Sequence, residues 1–331
     1  MTHRETLRYL KVEWQRARIF VAVTESARIG LLERQSYLSK NGNQLTSFMG
    51  IESAFVNVKG LRTHYLHAGD SGKPVVLLHG AGMDSAALSW ESAIGPLARG
   101  HRVVALDLPG YGETDRPNVE FSNTFYTQFA VDFMDQLGLA QVCVVGLSLG
   151  GAIALELCLT EPRRVQKLVL VAPFGLQQRI PLHKVSYLLV RMPGLIALTW
   201  ALLRTSPFLI RWSMRRIVYN ATALSDDLVH AILHEARRPG AGRAFQSYLK
   251  SCLKWNSINP YLVPRLKEIA IPTLIIHGAD DSLVPNKYAQ NAHALIPGSQ
   301  LSVIRPCGHW PPRENSDEFN ERLLTFLAVR H

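Results

Sequence analysis

The run VCVVGLSLGGA at residues 142–152 limits the possible folds of this chain more than any other stretch. Its apolar start predicts a buried parallel strand, and the apolar residues on nearly every face from 152 to 159 predict a buried helix. Between them, Gly146 and Gly150 flank Ser148, as a sharp strand-to-helix turn requires. Such a turn holds a serine hydroxyl out beside a base, without which serine is a poor nucleophile. We predict that Ser148 is a catalytic nucleophile; the alternative is a merely tight glycine turn.

Strand-like and helix-like patterns alternate on both sides of this run, which predicts a mostly parallel sheet with helices on both faces. In such a fold, ligands bind at the carboxyl ends of the strands. The predicted elements are a hairpin over 54–69, strands at 75–78, 103–107, 168–172, 271–276 and 301–304, and helices at 125–137 and 314–329.

The alternation stops between Pro173 and about Trp255, where the pattern is helical and interrupted by prolines. We predict that this segment is a helical lid inserted between two strands of the sheet. The predicted domains are therefore an α/β core of the eight-stranded type at 48–173 and 256–331, with the lid at 174–255. Apolar residues recur near a helical period before residue 38, and the Asn41-Gly42-Asn43 break follows, so residues 1–47 are predicted as an N-terminal helical extension.

Composition narrows the class of protein. A chain of 331 residues with 47% hydrophobic residues can build a sizeable core. The sequence contains no uncharged apolar run of 18 residues, and charges interrupt its N-terminus, so neither a membrane-spanning helix nor a signal peptide is expected. Four widely spaced cysteines are expected to be reduced core residues. The expected location is cytoplasmic.

The net charge of +10 is concentrated in one segment. No Asp or Glu occurs between Pro162 and Ser225, where ten basic residues alternate with Leu, Ile, Val, Met and Trp. Nucleic-acid sites usually combine basic residues with polar and aromatic ones, so nucleic acid is not an expected partner. The pattern favours lipid or an apolar substrate.

Five stretches of the sequence can be taken together: HGAG at 79, DLPGYGETD at 107, GLSLGG at 146, GADDSLVP at 278 and GHWPPRE at 308. They resemble the α/β-hydrolase superfamily across residues 50–331. Their order, with serine first, an acid after a late strand and a histidine after the last strand, is that of the family. The resemblance extends to lidded serine esterases, to monoacylglycerol-type lipases and to meta-cleavage product hydrolases.

The chemistry of an attacking serine indicates which residues act as base and acid. An attacking serine needs a neutral imidazole, which in turn needs a carboxylate to fix its tautomer. His309 is the best base because it follows the final strand in a glycine-flanked loop, whereas His79 and His277 are expected to bond backbone groups. For the acid, the Gly-x-x-Asp-x-x-Val-Pro spacing of the family falls on Asp281 rather than Asp280. No acid follows the strand that ends near Pro173, which excludes the family variant with its acid there.

Backbone donors are expected to complete the site. The N–H groups of Leu149 and of Ala81 are predicted to form an oxyanion hole, in which two donors lower the barrier by about 3 kcal/mol each. No phosphate loop, dinucleotide motif or zinc-protease motif is present, so neither a metal nor a cofactor is expected. The predicted substrate-binding residues are Gly80, Gly82, Leu147, Leu189, Met192, Trp200 and Trp310.

The sequence therefore predicts a serine hydrolase that cleaves carboxylic esters with an apolar acyl group through an acyl-enzyme, because the lid is rich in Leu, Met and Trp. One alternative is a carbon-carbon bond hydrolase of ring-cleavage products, which shares the Ser-Asp-His core and the Gly-His-Trp sequence. Another is a ligand-binding receptor or scaffold that retains the triad. The expected partner is a small apolar ester. Peripheral membrane association through the basic lid or the N-terminal helix, and a homodimer, are further hypotheses.

Overall fold

We describe the fold from a computed structural model of the chain, which describes residues 50–180 and 182–329. The predicted N-terminal extension at 1–47 lies outside these residues. Within them, one eight-stranded sheet has the order β1-β2-β4-β3-β5-β6-β7-β8. The first two strands form an antiparallel hairpin that pairs with β4, and all the other neighbours are parallel. The strands are β1 Glu52–Val58, β2 Leu61–Ala68, β3 Lys73–Leu78, β4 His101–Leu106, β5 Val142–Leu147, β6 Val165–Val171, β7 Thr273–Gly278 and β8 Gln300–Ile304.

Helices follow most of the parallel strands, and the described residues contain eleven of them. This arrangement confirms the predicted α/β fold with a mostly parallel sheet. The helices are α1 Ala86–Ala98, α2 Asn123–Gln136, α3 Leu149–Thr160, α4 His183–Arg191, α5 Leu195–Leu203, α6 Pro207–Met214, α7 Asp226–Arg237, α8 Arg243–Cys252, α9 Lys287–Leu295, α10 Pro311–Glu314 and α11 Ser316–Ala328.

The two faces of the sheet have separate cores because alternate residues of a strand point in opposite directions. In β3, Val76 and Leu78 belong to one core, which contains residues of α2 and α3. Val75 and Leu77 belong to the other, which contains Trp90 and other residues of α1 and α11. Burial on both faces explains why the parallel strands are continuous apolar runs rather than alternating ones.

The chain between β6 and β7 contains the five helices α4 to α8. Each is short, and Pro193-Gly194 separates α4 from α5. No single helix in the described part of the chain is long and apolar enough to cross a membrane; α4 and α5 meet that test only together, and they are bent by 85° at their junction. We refer to residues 174–255 as the lid.

One basic residue of the acid-free segment has a structural role. Lys167 is buried in β6, and its Nζ donates to the carbonyl oxygens of Phe326, Leu327 and Val329 at 2.9, 3.0 and 2.6 Å. The last carbonyls of a helix lack intrahelical donors and carry partial negative charge, so a lysine ammonium satisfies them well. Lys167 therefore fixes the end of α11 to the sheet.

Candidate active site

Ser148 stands between β5 and α3 in a left-handed backbone conformation, with φ of 50° and ψ of −109°. For a residue with a Cβ this region costs about 1–3 kcal/mol, so the surrounding structure must enforce it. Two hydrogen bonds do so: Ser148 N–H donates to Val171 O at 2.9 Å, and Ser148 O accepts from Phe174 N–H at 2.9 Å. The side chain remains partly accessible to solvent. This is the geometry of a nucleophile elbow.

Two glycines make the elbow possible through close backbone approach. A Cβ at Gly146 would overlap the backbone of Gly150, and a Cβ at Gly150 would overlap the carbonyl group of Leu78. The start of α3 is thereby held against the end of β3, where Gly150 N–H donates to His79 O at 3.1 Å. The loop after β3 and the elbow after β5 are therefore neighbours at the point where the strand order reverses, which is where such sheets bind ligands.

The predicted oxyanion loop lies beside the serine. A Cβ built on Gly80 would be 3.6 Å from Ser148 Cβ and 3.8 Å from a methyl of Leu147, so all three surround the same space. Neither Ala81 N–H nor Leu149 N–H donates to a protein acceptor within residues 50–180 and 182–329. Leu149 begins α3, so its N–H is one of the helix-terminal donors that have no intrahelical partner. Both groups are available to an oxygen of a ligand.

Asp281 and His309 meet in the loops after β7 and β8. His309 Nδ1 lies 2.7 Å from Asp281 Oδ2, and both side chains are almost fully buried. Because a carboxylate only accepts, Nδ1 must carry the proton, which leaves the Nε2 lone pair available as a base. No hydrogen bond joins His309 to the Ser148 hydroxyl among the residues that the structure describes. Such bonds are often long in free enzymes and tighten when substrate binds.

The Asp281 carboxylate has four donors around it. Its Oδ1 accepts from Leu283 N–H and Val284 N–H, both at 2.9 Å. Its Oδ2 is shared by His309 and by His277 Nε2, which lies 3.2 Å away and also donates to Val284 O at 2.7 Å. Burial alone would raise the pKa of Asp281, but the hydrogen bonds from the two histidines outweigh it and hold the pKa well below its usual range. Asp281 is therefore ionised at neutral pH.

Sequence reasoning missed an acid beneath the oxyanion loop. Asp84 is buried, and its Oδ2 accepts from Gly80 N–H at 2.8 Å. Ser89 Oγ donates to the same carboxylate at 2.7 Å and accepts from Trp310 Nε1 at 3.2 Å. Burial raises the pKa of Asp84. This chain of bonds connects the oxyanion loop to the residue after His309, and only its position five residues after His79 could have drawn attention to Asp84.

Glu314 was also missed. It accepts from Gly308 N–H at 3.0 Å and from Trp310 N–H at 3.2 Å, the residues on either side of His309. A third bond, at 2.7 Å, comes from Tyr219 N–H in the lid. A single carboxylate thus fixes the backbone of the histidine loop and fastens it to the lid.

The lid touches both triad loops through residues 216–219. Arg216 O accepts from Ser282 Oγ at 2.8 Å, next to Asp281. Ile217 O accepts from His309 N–H at 2.7 Å. Because this segment directly follows α6, a displacement of that helix would act on the backbone of His309.

The other predicted substrate-binding residues lie in different places. Trp310 is buried and bonds Ser89, as described above. Trp200 is buried within the lid, against Gly242 and Phe245 of the α8 region. Leu189 and Met192 are exposed on the lid surface. For Gly82 the structure gives a positive φ of 89° and no near neighbour. The assignment of these residues to substrate stays a prediction.

The expected backbone roles of two histidines are confirmed. His79 Nδ1 lies 2.7 Å from Gly80 O and its Nε2 accepts from Leu108 N–H at 3.0 Å, while His277 bonds Val284 O. All four cysteines are buried and unpaired. In the part of the chain that the structure describes, no cluster of three or more His, Cys, Asp or Glu is placed to hold a metal ion.

Comparisons with known proteins agree with this fold. The sequence profile of the family described as alpha/beta hydrolase fold matches residues 73–316. The chain belongs to the α/β-hydrolase family. This α/β-hydrolase is 33% identical over 282 residues to an uncharacterized protein of Mycobacterium tuberculosis, covering 82% of this chain and 80% of that protein.

Two characterised relatives of this α/β-hydrolase are hydrolases. The 2-hydroxy-6-oxo-2,4-heptadienoate hydrolase of Pseudomonas putida is 32% identical over 273 residues, covering 82% of this chain and 94% of that enzyme. Among solved structures, a meta-cleavage product hydrolase from Pseudomonas fluorescens superposes with a TM-score of 0.70 at 27% identity, covering 83% of this chain and 97% of the other. The predicted membership of the α/β-hydrolase superfamily, including its carbon-carbon hydrolase relatives, is thus confirmed.

Proposed function

We propose that this α/β-hydrolase is a serine hydrolase that cleaves carboxylic esters with an apolar acyl group. The observation that supports the proposal most is the joint placement of a strained elbow serine, a buried Asp-His pair and two N–H groups that have no acceptor among the described residues. Acyl transfer needs these three parts: a nucleophile, an oriented base and donors for the oxygen that becomes negative.

In the proposed reaction, Ser148 Oγ attacks the ester carbonyl carbon while His309 Nε2 takes the hydroxyl proton. Ala81 N–H and Leu149 N–H stabilise the oxyanion of the tetrahedral intermediate. The intermediate collapses, the C–O bond to the alcohol breaks, and His309 returns the proton to the leaving alkoxide oxygen. Water then attacks the acyl-enzyme with the same histidine as base, releasing the acid and restoring Ser148. Asp281 stabilises the imidazolium in both steps.

The distribution of basic side chains favours a neutral substrate. A substrate carboxylate that enters a buried site needs a cationic partner there. Of the ten basic residues between 162 and 225, only Lys167 is buried, and its donors are used by α11. Arg164, Arg191 and Arg211 are partly buried, but all three have partners. Arg164 and Arg211 pair with Asp135 and Asp226, and Arg191 donates to backbone carbonyls at the end of α8. The acid-free segment therefore has no buried cation left for such a substrate.

A second candidate is cleavage of a carbon-carbon bond in a 2-hydroxy-6-oxo dienoate. The 32% identity to the Pseudomonas putida enzyme over most of both chains favours it. The same triad can serve this reaction. The third candidate, a receptor or scaffold with a retained triad, predicts binding of an apolar ligand without turnover.

One set of assays separates the three candidates. Purified protein is given p-nitrophenyl esters of graded acyl length and, separately, 2-hydroxy-6-oxo-2,4-heptadienoate, whose dienoate absorbance is followed. We expect release of p-nitrophenol, with a kcat/KM that rises as the acyl chain becomes longer than acetate. Faster turnover of the dienoate than of every ester would contradict our proposal and support the second candidate. Turnover of neither substrate would support the third candidate.

Ser148→Ala is the blank for these assays and a prediction in itself. Loss of one hydroxyl at a partly accessible turn removes little packing, so we expect an unchanged melting temperature and hydrolysis reduced to background. Labelling by a fluorophosphonate should disappear in the same variant. Turnover near that of the wild type in Ser148→Ala would contradict the mechanism as a whole.

A further inference from the structure

Three consecutive lid helices expose an unusual amount of apolar surface. Nine of the seventeen large apolar side chains that are exposed within the described residues lie between 182 and 212. Phe208 and Trp212 of α6 are 70% and 63% exposed. Isolated exposed apolar residues are normal, but a concentration of this size usually marks a surface that binds something. The nine are Leu182, Val185, Leu188, Leu189, Met192, Leu198, Leu202, Phe208 and Trp212.

The exposure of apolar side chains is clearest in helix α5. Its sequence, LIALTWALL, has apolar residues on every side, and a helix of this kind is normally buried on every side. Only Trp200 is buried here. Leu198 and Leu202 are more than half exposed. Ile196 and Leu203 pack partly against the two cores, but much of the free energy that burial of this helix could provide is not used in contacts within the described residues.

Exposed basic residues lie within and just after the same stretch of chain. Lys184, Arg204, Arg215 and Arg216 are exposed, and none of them pairs with a carboxylate in the part of the chain that the structure describes. No acid occurs from 162 to 225, so nothing within the segment offsets their charge. We call the nine apolar side chains and these four cations the lid face.

We propose that the lid face docks on an anionic lipid surface, with the apolar side chains entering the interface and the cations lying at the headgroups. An amphipathic surface of this composition lies in the plane of a membrane, and anionic headgroups supply the counter-charge that the protein lacks there. A second copy of this chain fits less well, because two lid faces would bring like charges together. The inference does not depend on the proposed reaction.

A sedimentation experiment on the full chain tests the charges. Vesicles of phosphatidylcholine are compared with vesicles that also contain phosphatidylglycerol, at low and high NaCl. We expect binding that requires phosphatidylglycerol and weakens with salt. The variant R204Q/R215Q/R216Q should bind on the order of 100-fold more weakly at low salt, since each cation near an anionic surface contributes about fivefold. The matched control R102Q/K267Q/R305Q removes three exposed cations of the core and should bind like the wild type.

A second pair of variants tests the apolar part. F208Q/W212Q should lower vesicle binding by on the order of tenfold even at high salt, because the loss is of apolar burial rather than charge. V119Q/L295Q, with exposed apolar residues outside the lid, is its control. Ser148→Ala should sediment like the wild type, which separates this inference from the proposed reaction. No sedimentation at low salt on phosphatidylglycerol vesicles would overturn it, and so would equal losses in the lid and core variants.

Discussion

Two adjacent aspartates have very different surroundings. Asp281 receives three hydrogen bonds, one of them from His309, and lies 3.2 Å from His277 Nε2, whereas Asp280 is 3.4 Å from one backbone N–H. We predict that Asp281→Asn lowers kcat by on the order of 10⁴, because an amide cannot hold the Nδ1–H tautomer of the histidine. The asparagine oxygen can still accept from Leu283 and Val284, so the fold of the loop should survive. Steady-state kinetics on the best ester measures the change.

Asp280→Asn is the matched control, one residue away with the same loss of charge. We expect it to lower kcat by about tenfold or less, because Asp280 makes no hydrogen bond or ion pair with the imidazole among the described residues. If Asp280→Asn proved the more damaging of the two, the family spacing that selects Asp281 would be misaligned in this chain.

Hydrophobic patterns predicted most of the described elements to within a few residues. The hairpin, the elbow strand and the strands before Asp281 and His309 appear where the sequence places them, since local residue order determines strand periodicity and turns. No helix is predicted at 86–98, where Gly95 and Pro96 interrupt the pattern. The structure nevertheless has α1 there. Pro96 cannot donate to Ser92 O, and Asn320 Nδ2 donates to it instead at 2.8 Å. That compensation comes from a residue more than two hundred positions later, which no local pattern reveals.

The contacts of Asp84 and most of those of Glu314 are with residues four to six positions away, but no hydrophobic pattern shows that either carboxylate turns back onto the loop before it. We predict that Glu314→Ala lowers kcat by on the order of tenfold or more and changes KM less, because it frees the backbone on both sides of His309 without touching the substrate. Glu314→Gln should recover part of the activity, since its amide oxygen can still accept. Initial rates over a range of ester concentrations separate the two parameters.

Glu321→Ala, a solvent-exposed acid on α11, is the control and should match the wild type. A positioning role also predicts a changed pH profile of kcat, because the environment of the imidazole shifts with its loop. A Glu314→Ala variant with lower thermal stability but unaltered kcat and pH profile would show that Glu314 only stabilises the fold.

At the scale of the whole molecule, the sequence predicts the parallel sheet but not what fastens its parts together. One such group is Asp107, in the loop after β4. Its Oδ2 lies 2.6 Å from His64 Nδ1 in β2 and accepts from Glu113 N–H at 2.9 Å. Its Oδ1 accepts from Ala86 N–H at the start of α1 at 2.7 Å. The hairpin, the first helix and the loop after β4 therefore share one buried carboxylate, for which the sequence indicates only a turn residue.

The contacts of Asp107 predict how the free energy of unfolding depends on pH. Burial alone would raise the pKa of Asp107, but the hydrogen bond and charge of His64 outweigh it and lower the pKa from 3.8 to about 2. A carboxyl group whose pKa is lowered by folding stabilises the protein at pH values above its unfolded-state pKa. That contribution is lost as the pH falls through its folded-state pKa.

The free energy of unfolding of the wild type, measured in urea, should thus exceed that of Asp107→Asn by a constant amount above about pH 5. The difference should shrink by about 2 kcal/mol between pH 4 and pH 2. Asp70→Asn, an exposed control, should follow the wild type throughout. A difference for Asp107→Asn that stays constant down to pH 2 would contradict the lowered pKa of Asp107.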